Sequence, residues 1–132
     1  MIAIKKDVLE KIIAHAKKDL PNEACGYLAG SDGVVTCSYQ LTNVDHSPEH
    51  FSFDPSEQFK TLKDARNKGL QILANYHSHP STPARPSIED IRLAYDPDIS
   101  YVIISLANNE PSIKSFIIRD GKVEPEDIKI ID

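Results

Sequence analysis

The chain has 132 residues, 40% apolar and 27% charged, proportions that suit one globular domain with a single core and exclude disorder as the default. Its formal net charge of −5, with no cluster of Lys or Arg, argues against nucleic acid as the main partner. No apolar run approaches the ~20 residues of a membrane span.

Residues 1–7 lack the apolar core and cleavage site of a signal peptide. Cys25 and Cys37 form neither a C-x-x-C pair nor a disulfide-dense pattern. A reducing, cytoplasmic setting is therefore expected. Val8, Leu9, Ile12, Ile13, Ala16 and Leu20 recur at helical spacing with lysines between them, the pattern of an amphipathic helix. Pro21 stops it, because the residue before a proline is pushed out of the α region. His15 lies within this helix and reads as a solvent-edge residue, since no second ligand stands at helical spacing.

Residues 21–30 open a strand, 30–33 read as a turn, and 34–40 return as the second strand of a hairpin. Glu23 stands at the start of that strand, where its plainest reading is an exposed charge. Cys25 reads as a small buried residue. Residues 41–49 form a polar connection, and 50–53 are a short strand candidate. Asp54, Pro55 and Glu57 then supply an N-cap, a proline at the first helical position and a carboxylate at the third. Phe59, Leu62 and Ala65 mark the expected buried stripe of this helix, and Gly69 fits its C′ position. His46 and His50 read as loop residues that hold no metal.

Residues 70–76 are a nearly continuous apolar run, as expected of a covered strand, which delivers His77 and His79 to a strand end. In an extended chain residues i and i+2 share a face, so the two imidazoles converge while Ser78 points away. On a helix the same spacing would splay them roughly 200° apart. Pro80 ends the pairing. Residues 87–95 follow as a short helix with Ile88 and Ile91 expected inward. Residues 99–106 and 113–119 are further strands, Asp120-Gly121 is a hairpin signal, and a closing segment ends at 128–130. The order of elements is that of a single α/β domain with a mixed sheet.

Three protein ligands with a fourth position open are the arrangement of a catalytic zinc, and His77, His79 and Asp90 supply that count. Glu23 is the candidate base. Ser87-x-x-Asp90 also reads as a capping box. The two readings are compatible, because a helix start favours an ionised carboxylate, the state a metal ligand needs. A lone H-x-H is weak; the combination with an upstream glutamate and a spaced S-x-x-D carries the signal.

That combination resembles the JAMM (MPN+) metalloprotease family: a glutamate, H-[ST]-H-P, then S-x-x-D with ten residues between the second histidine and the aspartate. Glu23, His77-Ser78-His79-Pro80 and Ser87-x-x-Asp90 match, with residues 80–89 as the ten. The segments Pro21-x-Glu23-x-Cys25-Gly26-x-Leu28-x-Gly30 and Pro48-x-x-Phe51-x-Phe53-Asp54-Pro55 look like its compact prokaryotic branch. The resemblance implies one domain over residues 1–132, a mixed sheet flanked by helices, of MPN/JAB (cytidine deaminase-like) architecture. It further implies one catalytic Zn2+ on His77, His79 and Asp90, with Glu23 as general base and Ser87 stabilising the oxyanion, while Ser78 is structural. The implied activity is hydrolysis of amide or isopeptide bonds at the C-terminal Gly-Gly tail of a ubiquitin-like or sulfur-carrier protein. The rival readings are a catalytically inactive MPN-type scaffold and a passive metal-binding module. A zinc deaminase would need a C-x-x-C, which this chain lacks.

Overall fold

In the computed structural model, which describes all 132 residues, β1 (Ile2–Lys5) runs directly into α1 (Lys6–Lys18). A hairpin of β2 (Cys25–Ser31) and β3 (Val34–Leu41) precedes α2 (Pro55–Asn67), β4 (Gln71–His79) and the short α3 (Ile88–Arg92). The chain closes with β5 (Ser100–Ser105), β6 (Ser112–Arg119), β7 (Lys122–Glu126) and β8 (Ile128–Ile131). All eight strands join one sheet in the order β7-β6-β5-β4-β2-β3-β1-β8. β4 and β5 run parallel, as β1 does to β3 and β8, and the remaining pairs are antiparallel. This is the mixed α/β sheet that the order of elements predicts. No helix is long and apolar enough to cross a membrane.

Local chemistry accounts for the hairpins. Asp32 and Gly33 take φ of 53° and 76°, and Asp120 and Gly121 take 50° and 74°, the paired positive φ values that two-residue turns matching strand twist require. The strand β1 has no counterpart in the sequence reading. Its four residues are held by tertiary pairing, with Ile2 to Lys5 in register with Ile128 to Ile131.

On one face of the sheet α1 lays down Val8, Ile12 and Ala16 against Ile4, Leu28, Val35, Tyr76 and Val102. Each such large apolar side chain contributes about 1.5–3 kcal/mol by leaving water. His15 belongs to this buried stripe, three residues after Ile12, and is 6% exposed rather than at the solvent edge. Its Nδ1 lies 2.7 Å from Tyr76 Oη and its Nε2 3.1 Å from Asp19 Oδ2. Burial lowers its pKa, which Asp19 opposes.

α2 covers the other face, but not with the stripe expected. Its buried residues are Thr61 and Ala65, while Phe59 is 68% and Leu62 45% exposed. Gln58 Nε2 donates to Tyr27 Oη at 2.7 Å, and Tyr39 donates to Asp64. These bonds fix the helix's rotation and set its small side chains against the sheet. Asp54 caps the helix by accepting from Ser56 N at 2.8 Å. Glu57 turns away to Thr42, whose N–H and hydroxyl it accepts at 2.7 and 2.9 Å. Gly69, at φ 71°, ends the helix, with Gly69 N bonded to Arg66 O and Leu70 N to Ala65 O, the paired bonds of a Schellman end.

Residues 50–53 form no strand, only an isolated bridge between Asn43 and Phe53. The side chain of Asn43 takes the backbone groups a ladder would have used. Its Nδ2 donates to His50 O at 3.1 Å and its Oδ1 accepts from Asp45 N and Ser52 N at 3.0 and 3.3 Å. α3 is likewise shorter than expected, five residues, and Ile88 is 86% exposed. The cap at Ser87 aims Asp90 inward, and Ile88, two positions and about 200° around the helix, must face solvent. Ile91 packs inward as expected.

Candidate metal centre

β4 alternates strictly at its end. Tyr76 and Ser78 face α1, while Asn75, His77 and His79 face the opposite side. His77 pairs in register with Ile103 and His79 with Ser105 of the parallel β5, so both imidazoles stand at the carboxyl ends of parallel strands, where open α/β sheets place ligand sites. Their Nε2 atoms lie 3.1 Å apart, and Asp90 Oδ2 lies 3.1 Å from the first and 3.2 Å from the second. Donors about 2.0–2.1 Å from a tetrahedral zinc are separated by roughly 3.3 Å. The three atoms therefore span one face of such a tetrahedron.

The tautomers sharpen this fit. His79 Nδ1 lies 2.9 Å from Pro83 O, a carbonyl that can only accept, so Nδ1 carries the proton. The Nε2 lone pair of a neutral His79 then faces a carboxylate oxygen that already accepts Ser87 N–H at 2.9 Å. Lone pair against lone pair is reconciled by a cation or an extra proton, and the anchored second nitrogen is the usual support of a metal-ligating histidine. Burial pushes the Asp90 carboxyl up, but hydrogen bonds from His77 and His79 outweigh it and hold the group well below the ordinary carboxylate range. Burial pulls His79 down, and its bonds to Asp90 and Pro83 carry it above its ordinary value. His77 stacks on Phe51, ring centroids 4.7 Å apart, and its buried Nδ1 has no partner.

Glu23 is brought to the same place by register. Cys25 of β2 pairs with His77. One step further Ser78 N donates to Ala24 O at 3.0 Å, while Ser78 Oγ accepts Ala24 N–H at 2.8 Å. Continued once more, the pairing sets Glu23 across from His79 on the same face. Its backbone is clamped, N–H to Ser47 O at 2.8 Å and C=O to Asn43 Nδ2 at 3.1 Å. The side chain is 3% exposed and its Oε1 has no partner, so Glu23 is not the exposed charge its position in the sequence suggests. Burial raises its pKa to about 8; His79 opposes the shift and Asp90 and Glu89 reinforce it.

Ser87 Oγ accepts Asp90 N–H at 3.0 Å, closing the capping box. A hydroxyl that accepts in this way keeps its own proton to donate. The loop between the histidines and Ser87 is pinned, with Ser105 Oγ donating to Thr82 O at 2.6 Å. His77, His79 and Asp90 thus gather within 4.8 Å. His46 and His50 lie outside that group, and His50 Nδ1 is 3.0 Å from Asp45 Oδ2. The sequence reading missed the organising role of Asn43. It also missed a cavity of about 580 Å³ beside His77 and Asp90, walled by Tyr27, Phe51, Phe53 and Tyr101, for which Phe51-x-Phe53 was the available signal.

Fold and donor set together give an α/β domain in which two histidines and an aspartate could hold a metal ion. A family model for the prokaryotic homologues of the JAB domain matches residues 5–118, and the chain belongs to this family. It is 33% identical to the CysO-cysteine peptidase of Mycobacterium tuberculosis, aligned over 100% of this chain and 92% of that protein. It is also 33% identical to a probable TtuB-protein conjugate cleaving protease of Thermus thermophilus, over 92% of this chain and 79% of the relative. The solution structure of protein DSY2949 from Desulfitobacterium hafniense matches with a TM-score of 0.92 and 52% identity, covering 100% of this chain and 94% of that one.

Proposed function

We propose that the protein is a zinc-dependent hydrolase of amide or isopeptide bonds at the C-terminal tail of a ubiquitin-like or sulfur-carrier protein. Trimming the tail, releasing cysteine from it and detaching the carrier from a lysine are all the same chemistry. The observation that carries this reading is the convergence of His77 Nε2, His79 Nε2 and Asp90 Oδ2 beside a buried, unpartnered Glu23 carboxyl. The substrate class is supported by similarity, along essentially the whole chain, to a CysO-cysteine peptidase and to a TtuB-protein conjugate cleaving protease.

His77, His79 and Asp90 would hold the ion, and two imidazoles with one carboxylate suit zinc. When bound, zinc lowers the pKa of a coordinated water to about 7 and polarises the scissile carbonyl. Glu23 accepts the proton of the attacking water and delivers it to the leaving amine, and its burial, which favours the protonated carboxyl, helps it hold that proton between the two steps. Ser87 donates its free hydroxyl proton to the carbonyl oxygen as it gains charge. Ser78 and Asn43 touch no reacting atom; Ser78 fixes residue 24 against β4, and Asn43 ties residue 23 to the connection that follows β3.

The test is hydrolysis of a carrier protein with an extended tail by the wild type and by Glu23→Gln. The wild type cleaves it, and the Gln variant loses on the order of 10²–10⁴-fold in rate while keeping its metal. Equal rates for the two proteins contradict the assignment.

A further inference from the structure

Three buried side-chain atoms have no hydrogen-bond partner: Glu23 Oε1, His77 Nδ1 and Asn75 Oδ1. The first two belong to groups already given roles, and Asn75 does not. It precedes His77 by one pleat on the same face of β4 and lies in register between Tyr27 of β2 and Tyr101 of β5. Neither neighbouring hydroxyl serves it. Tyr27 Oη, which accepts from Gln58 at 2.7 Å, makes no bond to Asn75 Oδ1, and Tyr101 Oη both donates to Asp96 O and accepts from Asp96 N at 3.0 Å. Turning the carboxamide over would only exchange an unpaired acceptor for an unpaired donor. An apolar residue of similar size would avoid the cost of a buried unpaired group, so packing does not account for an amide here.

Asn75 lines the cavity of about 580 Å³ that reaches His77 and Asp90, a volume in the range of peptide- and drug-sized ligands. The cavity's aromatic wall is joined by Glu89 and Asp96 and by no lysine or arginine, and His50 is tied to Asp45. Away from the metal ligands no side chain there pairs with a free carboxylate, which favours an uncharged occupant over a released amino acid. An uncharged peptide segment on the acyl side of the scissile bond fits. Residues 75 and 77 are separated by about 6.7 Å along an extended strand, so Asn75 meets the substrate about two residues from the reacting carbonyl.

Resting on the hydrolase reading, we infer that Asn75 is a substrate-binding residue whose carboxamide hydrogen-bonds to the main chain of the tail, while the aromatic wall takes a bulky apolar side chain just upstream of the tail's last two residues. The freely adjustable χ2 of asparagine brings its oxygen to a peptide N–H, and its NH2 remains for a peptide carbonyl.

The probes are two synthetic peptides, acetyl-Ala-Phe-Gly-Gly-Ala-amide and its counterpart with Asp in place of Phe. In metal-loaded Glu23→Gln protein, which binds without turnover, the Phe peptide shifts the side-chain 15NH2 signals of Asn75 saturably and the Asp peptide binds at least tenfold more weakly. Asn75→Leu, in the wild-type background, raises KM for the Phe peptide roughly three- to tenfold, the worth of one hydrogen bond, with kcat within twofold and no loss of thermal stability. An unmoved Asn75 signal, failure of the Phe peptide to bind, or an unchanged KM overturns the inference. If the Asn75 signals shift and Asn75→Leu weakens binding while the wild type hydrolyses neither peptide nor carrier, the subsite stands and the hydrolase reading falls.

Discussion

On the face of β4 turned to α1, both polar side chains are engaged: Tyr76 Oη with His15, and Ser78 Oγ with Ala24 N–H. On the opposite face the inventory is left open. Asn75 Oδ1 and His77 Nδ1 have no partner, Glu23 Oε1 beside them has none, and two imidazole nitrogens converge on one carboxylate oxygen. The β4 residues among them are neighbours in one strand, and the unpartnered atoms are themselves buried. Buried polar groups are normally satisfied, so the face where they are not is where something from outside the chain completes them. Polarity that closes on itself holds the fold, and polarity that stays open marks the site.

Substitutions on the two faces should therefore separate into losses of turnover and losses of stability. The largest separation after Glu23→Gln is expected for Ser87→Ala, which removes the proposed oxyanion donor and should lower kcat on the order of 10²–10³-fold while costing about 1 kcal/mol as a lost cap. Steady-state kinetics beside urea unfolding measure both, and a kcat drop below tenfold would reduce Ser87 to its capping role. Ser78→Ala lies one residue from both histidines but on the closed face. It strands the buried Ala24 N–H and should lower unfolding free energy by about 1–3 kcal/mol, with metal content retained. The smallest effect is expected at Phe59→Ser, within about 0.5 kcal/mol of wild type, because this side chain is exposed despite its place in the helical pattern. A core-sized loss there would mean that α2 is rotated from the position described.

How much of this was legible beforehand differs by element. Features with a local cause could be read: the Asp32-Gly33 and Asp120-Gly121 turns, the Asp54 cap and the alternation that points His77 and His79 the same way. Of the family pattern Glu23, H-S-H-P, S-x-x-D, the fold gathers His77, His79 and Asp90, sets Glu23 across from His79 and turns Ser78 to the other face. Features set by tertiary partners could not. Phe59 and Leu62 follow a helical period, but Gln58 with Tyr27 and Asp64 with Tyr39 decide which side of α2 meets the sheet. Ile88 has the apolar character of a core residue, but the Ser87–Asp90 box sets the helix's orientation and turns it outward. The burial of His15 depends on Tyr76 and Asp19, partners that its own spacing does not reveal. Strand candidate 50–53 failed because one side chain, Asn43, absorbed its backbone bonds.

Metal stoichiometry measured on the purified chain and on single variants tests the central claim most directly. One zinc per chain is predicted for the wild type and for Glu23→Gln, with little retained after His79→Ala or Asp90→Ala. Zinc that binds as well without His79 or Asp90, or that fails to bind the intact chain, would contradict a metal centre at the end of β4.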